Sequence, residues 1–208
     1  GTVSGRISSS KTIFETGGNM QNLPPEMKKL MIADKGFVFF SMDLSQAENR
    51  VVAYVANETR MIKAFEEGVD LHKLTASLIF GIPVEMVSDE PGSCPLGGGK
   101  YSQRFWGKKA NHGLNYALGP LQFALLYEIT ESEAKYIIER YHSAYPAVRE
   151  WHASIRDQLS RTHRLTDCLG NTRIFMERWG DTMFKEAYSF IPQSTVARKL
   201  NRDGLCYI

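Results

Sequence analysis

The sequence predicts an α+β fold, with a mainly helical middle set between two strand-bearing ends. Three observations carry that expectation. Phe37-Val-Phe-Phe-Ser-Met42 is rich in aromatic and β-branched side chains, the composition of a buried strand. Leu165 to Phe175 is β-prone on both sides of Gly170-Asn171 and reads as a hairpin. Between them, helix caps and stops follow one another closely.

In chain order, the start is irregular and basic through Lys29, and the strand Phe37–Met42 follows. Ser45 opens a helix to about Ala56, and the Ser45-to-Glu48 spacing is that of a capping box, in which Glu48 folds back on the cap residue's amide. Asn57-Glu58-Thr59 caps a second helix through Phe65, which Gly68 terminates. Asp70 caps a third, running to Phe80 and stopped by Gly81, with Pro83 beyond. Residues 91–99 are a loop by composition. Their glycines do not make a P-loop, because Cys94 stands where the first glycine belongs and Tyr101 where Ser or Thr is required. A helix then runs from Arg104 to Tyr116. Thr130-Glu131-Ser132-Glu133 is a capping box for a helix through about Ala144, and Pro146 sits at the start of the next.

Composition bounds the class without naming a function. With 208 residues, 43% hydrophobic and 11% aromatic, the chain can bury a core and is not intrinsically disordered. A net charge of +2 is too small to mark a uniformly basic surface, so affinity for nucleic acid must rest on clusters such as Lys28-Lys29, Lys100 to Lys109 and Arg161 to Arg164. Cys94, Cys168 and Cys206 form no C-x-x-C pair, so neither a zinc site nor a disulfide framework is implied, and a reducing compartment is expected. No apolar run approaches the ~20 residues that span a bilayer, so no membrane partner is expected. No charged-then-apolar leader opens the chain, and both ends read as cut within continuing elements.

The densest chemistry lies in Arg104-Phe-Trp-Gly-Lys108-Lys-Ala-Asn-His112-Gly-Leu-Asn-Tyr116. Steps of four place two cations, an imidazole and a phenol up one side of a helix. A guanidinium fork grips phosphate, an ammonium neutralises charge at a transferring group, and rings bracket a nucleoside. At the exit of the first strand, Asp43 offers a carboxylate that can reach a metal ion outside the sheet.

These segments resemble motifs of the family A DNA polymerases. Asp43-Leu-Ser-Gln-Ala-Glu48-Asn-Arg50 is similar to D-Y-S-Q-x-E-x-R, and Arg104 to Tyr116 is similar to R-x-x-x-K-x-x-x-F-x-x-x-Y of the fingers helix. Ser4-Gly-Arg6-Ile-Ser-Ser9 resembles T-G-R-L-S-S, Asn19-Met-Gln21-Asn22-Leu-Pro24 resembles N-L-Q-N-I-P, and Asp70-Leu-His72-Lys-Leu-Thr-Ala76 resembles D-I-H-R-x-T-A. Ile191-Pro-Gln193-Ser-Thr195 resembles P-x-Q-G-T. The matches fall in family order over nearly the whole chain.

The resemblance implies a partial palm with a helical fingers insertion: 1–56 as the first part of the palm, 57–181 as fingers, and 182–208 as the return toward the palm. It implies template-directed transfer of a deoxynucleotidyl group from a dNTP to a primer 3'-hydroxyl, assisted by two Mg²⁺ ions (Mn²⁺ as substitute) held ~3.5–4 Å apart. Asp43 and the Leu44 carbonyl would be metal ligands and Lys108 catalytic. Arg104, Lys108, His112, Tyr116, His72, Glu48 and Gln46 would meet the nucleotide, with Glu48 and Tyr116 closing the space a 2'-hydroxyl needs. Arg6, Gln21, Asn22, Gln193, Lys185 and Ser189 would meet primer–template DNA. The second metal-binding aspartate belongs to a His-Asp-Glu motif, and no His-Asp dipeptide occurs in the chain. The expected partners therefore include the remainder of a parent polymerase: thumb, rest of the palm and an exonuclease domain where one exists. The expected setting is the cytoplasm of a bacterium or phage-infected host, and the piece alone is expected to be inactive.

His112 stands where the family commonly has Phe or Tyr, Ala117 where glycine follows the tyrosine, Arg198 where aspartate is common, and Lys185 and Ser189 where Arg and Asn are usual. Two rivals are weighed. A single-subunit RNA polymerase also pairs an aspartate strand with an R-x-x-x-K helix, but its tyrosine follows at shorter spacing. A non-catalytic nucleic-acid-binding module is the other.

Overall fold

The computed structural model describes residues 2–7, 23–39 and 43–204. The chain divides into two compact units, one of residues 1–45 with 197–208 and one of residues 46–196. In chain order the elements are α1 (Pro25–Lys28), α2 (Ala47–Val55), α3 (Thr59–Glu66), α4 (Leu71–Phe80), α5 (Gln103–Leu114), α6 (Pro120–Tyr127), α7 (Glu131–Ala144), α8 (Pro146–Thr162), β1 (Arg164–Thr166), β2 (Thr172–Ile174) and α9 (Asp181–Lys199). The result is the expected α+β class, weighted heavily toward helix.

Within the larger unit, the caps follow from local chemistry. The Asp70 carboxylate accepts the amides of His72 and Lys73 and opens α4, and Gly81 closes it at φ 68°. Thr130 and Glu133 exchange side-chain and backbone bonds at the start of α7, and Pro146 occupies the first turn of α8, where no amide partner is lost. Glu58 caps two helices at once. It accepts from the amide of Arg60 in α3 and, through its other oxygen, from the amide of Ala147 at 3.1 Å in α8. That shared carboxylate is buried, and it ties α3 to α8.

β1 and β2 pair antiparallel, with Arg164 opposite Ile174 and Thr166 opposite Thr172. Asp167 accepts the amides of Leu169 and Asn171 at 2.9 and 2.8 Å inside the turn, and Gly170 supplies its positive φ. The other Asp167 oxygen accepts from the Ser194 hydroxyl at 2.6 Å, which fastens the hairpin tip to α9. The core of this unit is aromatic at its centre: Trp106, Phe123, Tyr141, Tyr145, Phe175, Tyr188 and Phe190 are all buried.

The structure corrects several expectations. Phe37 to Phe39 carry no strand and are exposed, while the rest of the expected strand, residues 40–42, lies outside the described residues. A ladder needs a partner for its amides and carbonyls; among the described residues the strands are β1 and β2, which pair with each other. The Ser45 capping box is replaced by an N-cap at Gln46 in the left-handed region, φ 52°, without a side-chain cap bond. The expected loop at 91–99 is found, with short 3₁₀ turns within Leu96–Gly99 separated by a kink at Gly97 and Gly98, both at positive φ. No expectation covered α6 or α9. α6 is apolar nearly all round, burying Phe123 and Ala124 while Leu121, Leu125 and Leu126 face out, so it lacks the one-sided pattern that marks a helix. α9 runs through Pro192, which sequence rules treat as a break.

Candidate functional site

The site is organised by the crossing of α4 and α5. At Gly107 a Cβ would fall 2.1 Å from the His72 carbonyl oxygen and 2.8 Å from the Ala76 amide, so only glycine lets the two backbones approach this closely. Trp106, Ala110, Asn111 and Leu114 bury the same face of α5. The opposite face turns out Lys108 and His112, with Arg104 half-buried above them.

Arg104 is held by acids from two segments. Its Nε and Nη2 reach Asp70 Oδ2 at 2.9 and 2.8 Å, and its Nη1 stands 3.6 Å from Asp89 Oδ2. Partial burial works to raise the Asp70 pKa. The hydrogen bond from Arg104, the amide of Lys73, the Arg104 charge and the amide of His72 together outweigh it, so the carboxyl sits below its usual range. Among the described residues Lys108 forms no ion pair. Lys109, one step round, lies 5.0 Å from the Phe105 ring centroid and 5.3 Å from that of Tyr127, a cation over two aromatic faces.

His72 is buried, not the exposed first-turn histidine that a local reading of α4 allows. Its Nδ1 lies 3.1 Å from Asn111 Nδ2, which can only donate, so Nδ1 accepts and the proton sits on Nε2. Burial pushes its pKa down to about 4, against the opposing pull of Asp70 and with smaller contributions from His112, Arg104 and Lys108 in the same direction as burial. The rings of His72 and His112 meet edge to face, with centroids 5.7 Å apart. His112 is also shifted downward, first by burial of its inner side and then by Lys108 and Lys109. Both imidazoles are neutral at pH 7.

At the other end, α5 stops at Leu114, so Tyr116 lies in the turn that closes the helix and not on its last full turn as expected. The amides of Ala117 and Leu118 return to the carbonyls of Leu114 and Gly113, the Schellman arrangement, with Ala117 at φ 55° where glycine is normally placed. The turn directs the Tyr116 hydroxyl onto Glu48, which accepts its hydrogen bond. Glu48 therefore serves a contact 68 residues away in sequence.

Of the remaining expected site residues, Gln46 is the N-cap of α2, and its Oε1 is buried without a hydrogen-bond partner among the described residues. Lys185 donates to Gln122, Ser189 donates to the Glu186 carbonyl, and Gln193 is half-buried on α9. Arg6 belongs to a turn, its carbonyl accepting from Thr2. Asp43 and Leu44 are exposed in the smaller unit. Gln21 and Asn22 lie outside the described residues. Sequence reasoning missed Asp89, Asn111, Asn49, Asn115, Tyr141, His152 and the crossing-point Gly107; of these only Gly107 carried a local signal, a glycine inside a helical pattern.

The model of DNA polymerase family A matches residues 1–189. The chain is 33% identical to the thermostable DNA polymerase I of Thermus aquaticus over 72% of its length, and 33% identical to DNA polymerase I of Rhizobium leguminosarum over 83%. It is 29% identical to DNA polymerase I of Aquifex aeolicus over its whole length. It spans 17%, 16% and 33% of those relatives respectively. Among solved structures it is similar to the polymerase domain of Pol1 from M. smegmatis, in complex with DNA primer-template and dNTP, with a TM-score of 0.72 and 26% identity, covering 94% of this chain and 34% of that one.

Proposed function

The chain belongs to DNA polymerase family A, and on that premise we propose that it is the nucleotide-binding part of a template-directed DNA polymerase, which in the complete enzyme adds deoxynucleotides to a primer 3'-hydroxyl. The observation that carries this reading is the outward face of α5, where Arg104, Lys108 and His112 lie together and the Tyr116–Glu48 pair closes the far end.

Each group has a distinct task. Lys108, solvent-exposed and without an ion pair among the described residues, meets charge that develops on the transferring phosphoryl group. Arg104 holds the outer phosphates by exchanging part of its contact with Asp70 and Asp89, one anion replacing another. The outer face of the neutral His112 ring lies against the nucleoside, and Nε2 of His72 stands beneath it as a donor. Glu48 and Tyr116 occupy the space beside the sugar where a 2'-hydroxyl would sit. Residues 1–56 and 182–208 act as palm and 57–181 as fingers, and Arg6, Gln21, Asn22, Lys185, Ser189 and Gln193 meet the primer–template through acceptors common to all base pairs. The parent works in the cytoplasm.

Family A polymerases depend on divalent metal ions, with Mg²⁺ expected here. The described residues do not fit a two-ion site by themselves: Asp43 is a single exposed carboxylate, and among the described residues no three His, Cys, Asp or Glu side chains gather to hold a metal. Asp43 and the Leu44 carbonyl are proposed as this chain's share of that site, the rest coming from the parent.

The test is Glu48→Ala in the complete enzyme, read by single-turnover primer extension with dNTP and rNTP and by melting. A fall in the dNTP/rNTP efficiency ratio is expected. A loss of about 0.5–2 kcal/mol in stability with the ratio unchanged would make Glu48 a structural cap and remove the gate.

A further inference from the structure

Two consecutive residue pairs cross-link the start of α2 to the turn after α5. Glu48 accepts from Tyr116, and next to it Asn49 Oδ1 accepts from Asn115 Nδ2 at 2.8 Å. The second pair is buried: Asn49 is 4% exposed and Asn115 1%.

Asn115 is fixed from several directions. Its Oδ1 accepts from the Tyr141 hydroxyl of α7 at 2.7 Å, its carbonyl accepts from His152 Nε2 of α8 at 2.9 Å, and its amide returns to the Asn111 carbonyl at 3.3 Å. The ring of His152 in turn rests on Tyr188 of α9, with centroids 4.2 Å apart. Burial raises the Tyr141 pKa and lowers that of His152 to about 4, so the phenol stays a donor and the imidazole stays neutral. With both ends of its amide bonded, the Asn115 side chain cannot turn without breaking two buried hydrogen bonds. Apolar residues would fill the same volume without that cost of burial, so stability alone does not account for polar groups here. What the network adds is a single orientation for the backbone that carries Tyr116.

We propose that Asn49, Asn115, Tyr141 and His152 are positioning residues that hold Tyr116 against Glu48 and so set how strictly the enzyme rejects a 2'-hydroxyl. The proposal rests on the reading of Glu48 and Tyr116 as the sugar gate. None of the four touches the nucleotide; they act through the two residues beside them.

The test is a double-mutant cycle in the complete enzyme, reading the dNTP/rNTP ratio of single-turnover efficiencies. Asn115→Leu is expected to lower the ratio about tenfold in the wild-type background and to change it by less than twofold in Glu48→Ala. Tyr141→Phe removes one oxygen, leaves the ring packed, and carries the same test with a smaller fall if Asn115→Leu does not fold. A purely structural network would lower stability or scale both efficiencies together, leaving the ratio in place. An unchanged ratio in both variants, with Glu48→Ala still lowering it, overturns the positioning role alone. An unchanged ratio in Glu48→Ala itself overturns the gate, and the proposal with it.

Discussion

At its first turn α5 offers Arg104 to Asp70 and Asp89, and just past its last turn the chain offers Tyr116 to Glu48; both ends are anchored by carboxylates, yet their surroundings differ. The Arg104 contacts are partly open to water, the Asp89 side chain (63% exposed) more so than Asp70 (32%), and an open ion pair of the first kind contributes little. The Tyr116 contact is backed by the buried Asn49–Asn115 pair and by Tyr141 and His152. On the proposed reading, one end trades a carboxylate for a phosphate. The other is built to stay where it is.

The largest disturbance would break both ends together. Gly107→Ala places a methyl group against the His72 carbonyl and the Ala76 amide, atoms that cannot move aside without separating α4 from α5. A loss of at least about 3 kcal/mol is expected, at the top of the range for overpacking. Chemical denaturation measures it, and a loss under about 1 kcal/mol would show that the crossing is looser than drawn.

Acid should weaken both ends. His72 and His152 have folded pKa values near 4 against an ordinary 6.5, so the unfolded chain binds more protons between those values. Stability is therefore full above pH 6.5 and falls as pH drops toward 4. Asp70, shifted below its ordinary 3.8, adds stability present above that value and lost as pH falls through its lower folded pKa. Unfolding titrations on the wild type and on His152→Phe should differ in slope by about one proton across the 6.5-to-4 window. Equal slopes would contradict the buried neutral imidazole.

The smallest effect sharpens the fixed end. Ala117 holds φ 55°, a conformation that costs an L-residue about 1 kcal/mol, so Ala117→Gly should raise stability by up to about that amount while leaving the turn in place. A decrease would mean that the Schellman turn is not strained.

Legibility in the sequence followed the range of the interactions. Asp70, Gly81, Thr130 with Glu133, Pro146 and Gly170 act on neighbours within a few residues, and each marked its element correctly. The face of Arg104, Lys108 and His112 was readable from spacing of four. The Tyr116 partner of Glu48 was not: it lies 68 residues away, while the local spacing of Glu48 to Ser45 points to a capping box. Asn115 and His152 carry no local signature, because an Asn or His in a mixed-polarity stretch reads the same whether it faces water or a buried amide. α6 and α9 were missed for opposite reasons, the first by uniform apolarity and the second by an internal proline.

The contrast between an exchangeable and a fixed end is tested most directly by separating nucleotide binding from chemistry in the complete enzyme. Single-turnover kinetics over a range of dNTP concentrations, on Arg104→Ala and Lys108→Ala, give an apparent Kd and a maximal rate for each. A grip formed in the ground state acts on binding, whereas a donor that meets developing charge acts on the transition state. Arg104→Ala should raise the apparent Kd with the maximal rate changed less than severalfold, and Lys108→Ala should lower the maximal rate by about 10² or more with the Kd nearly unchanged. The reverse pattern, or equal effects of both substitutions on both constants, would contradict the account.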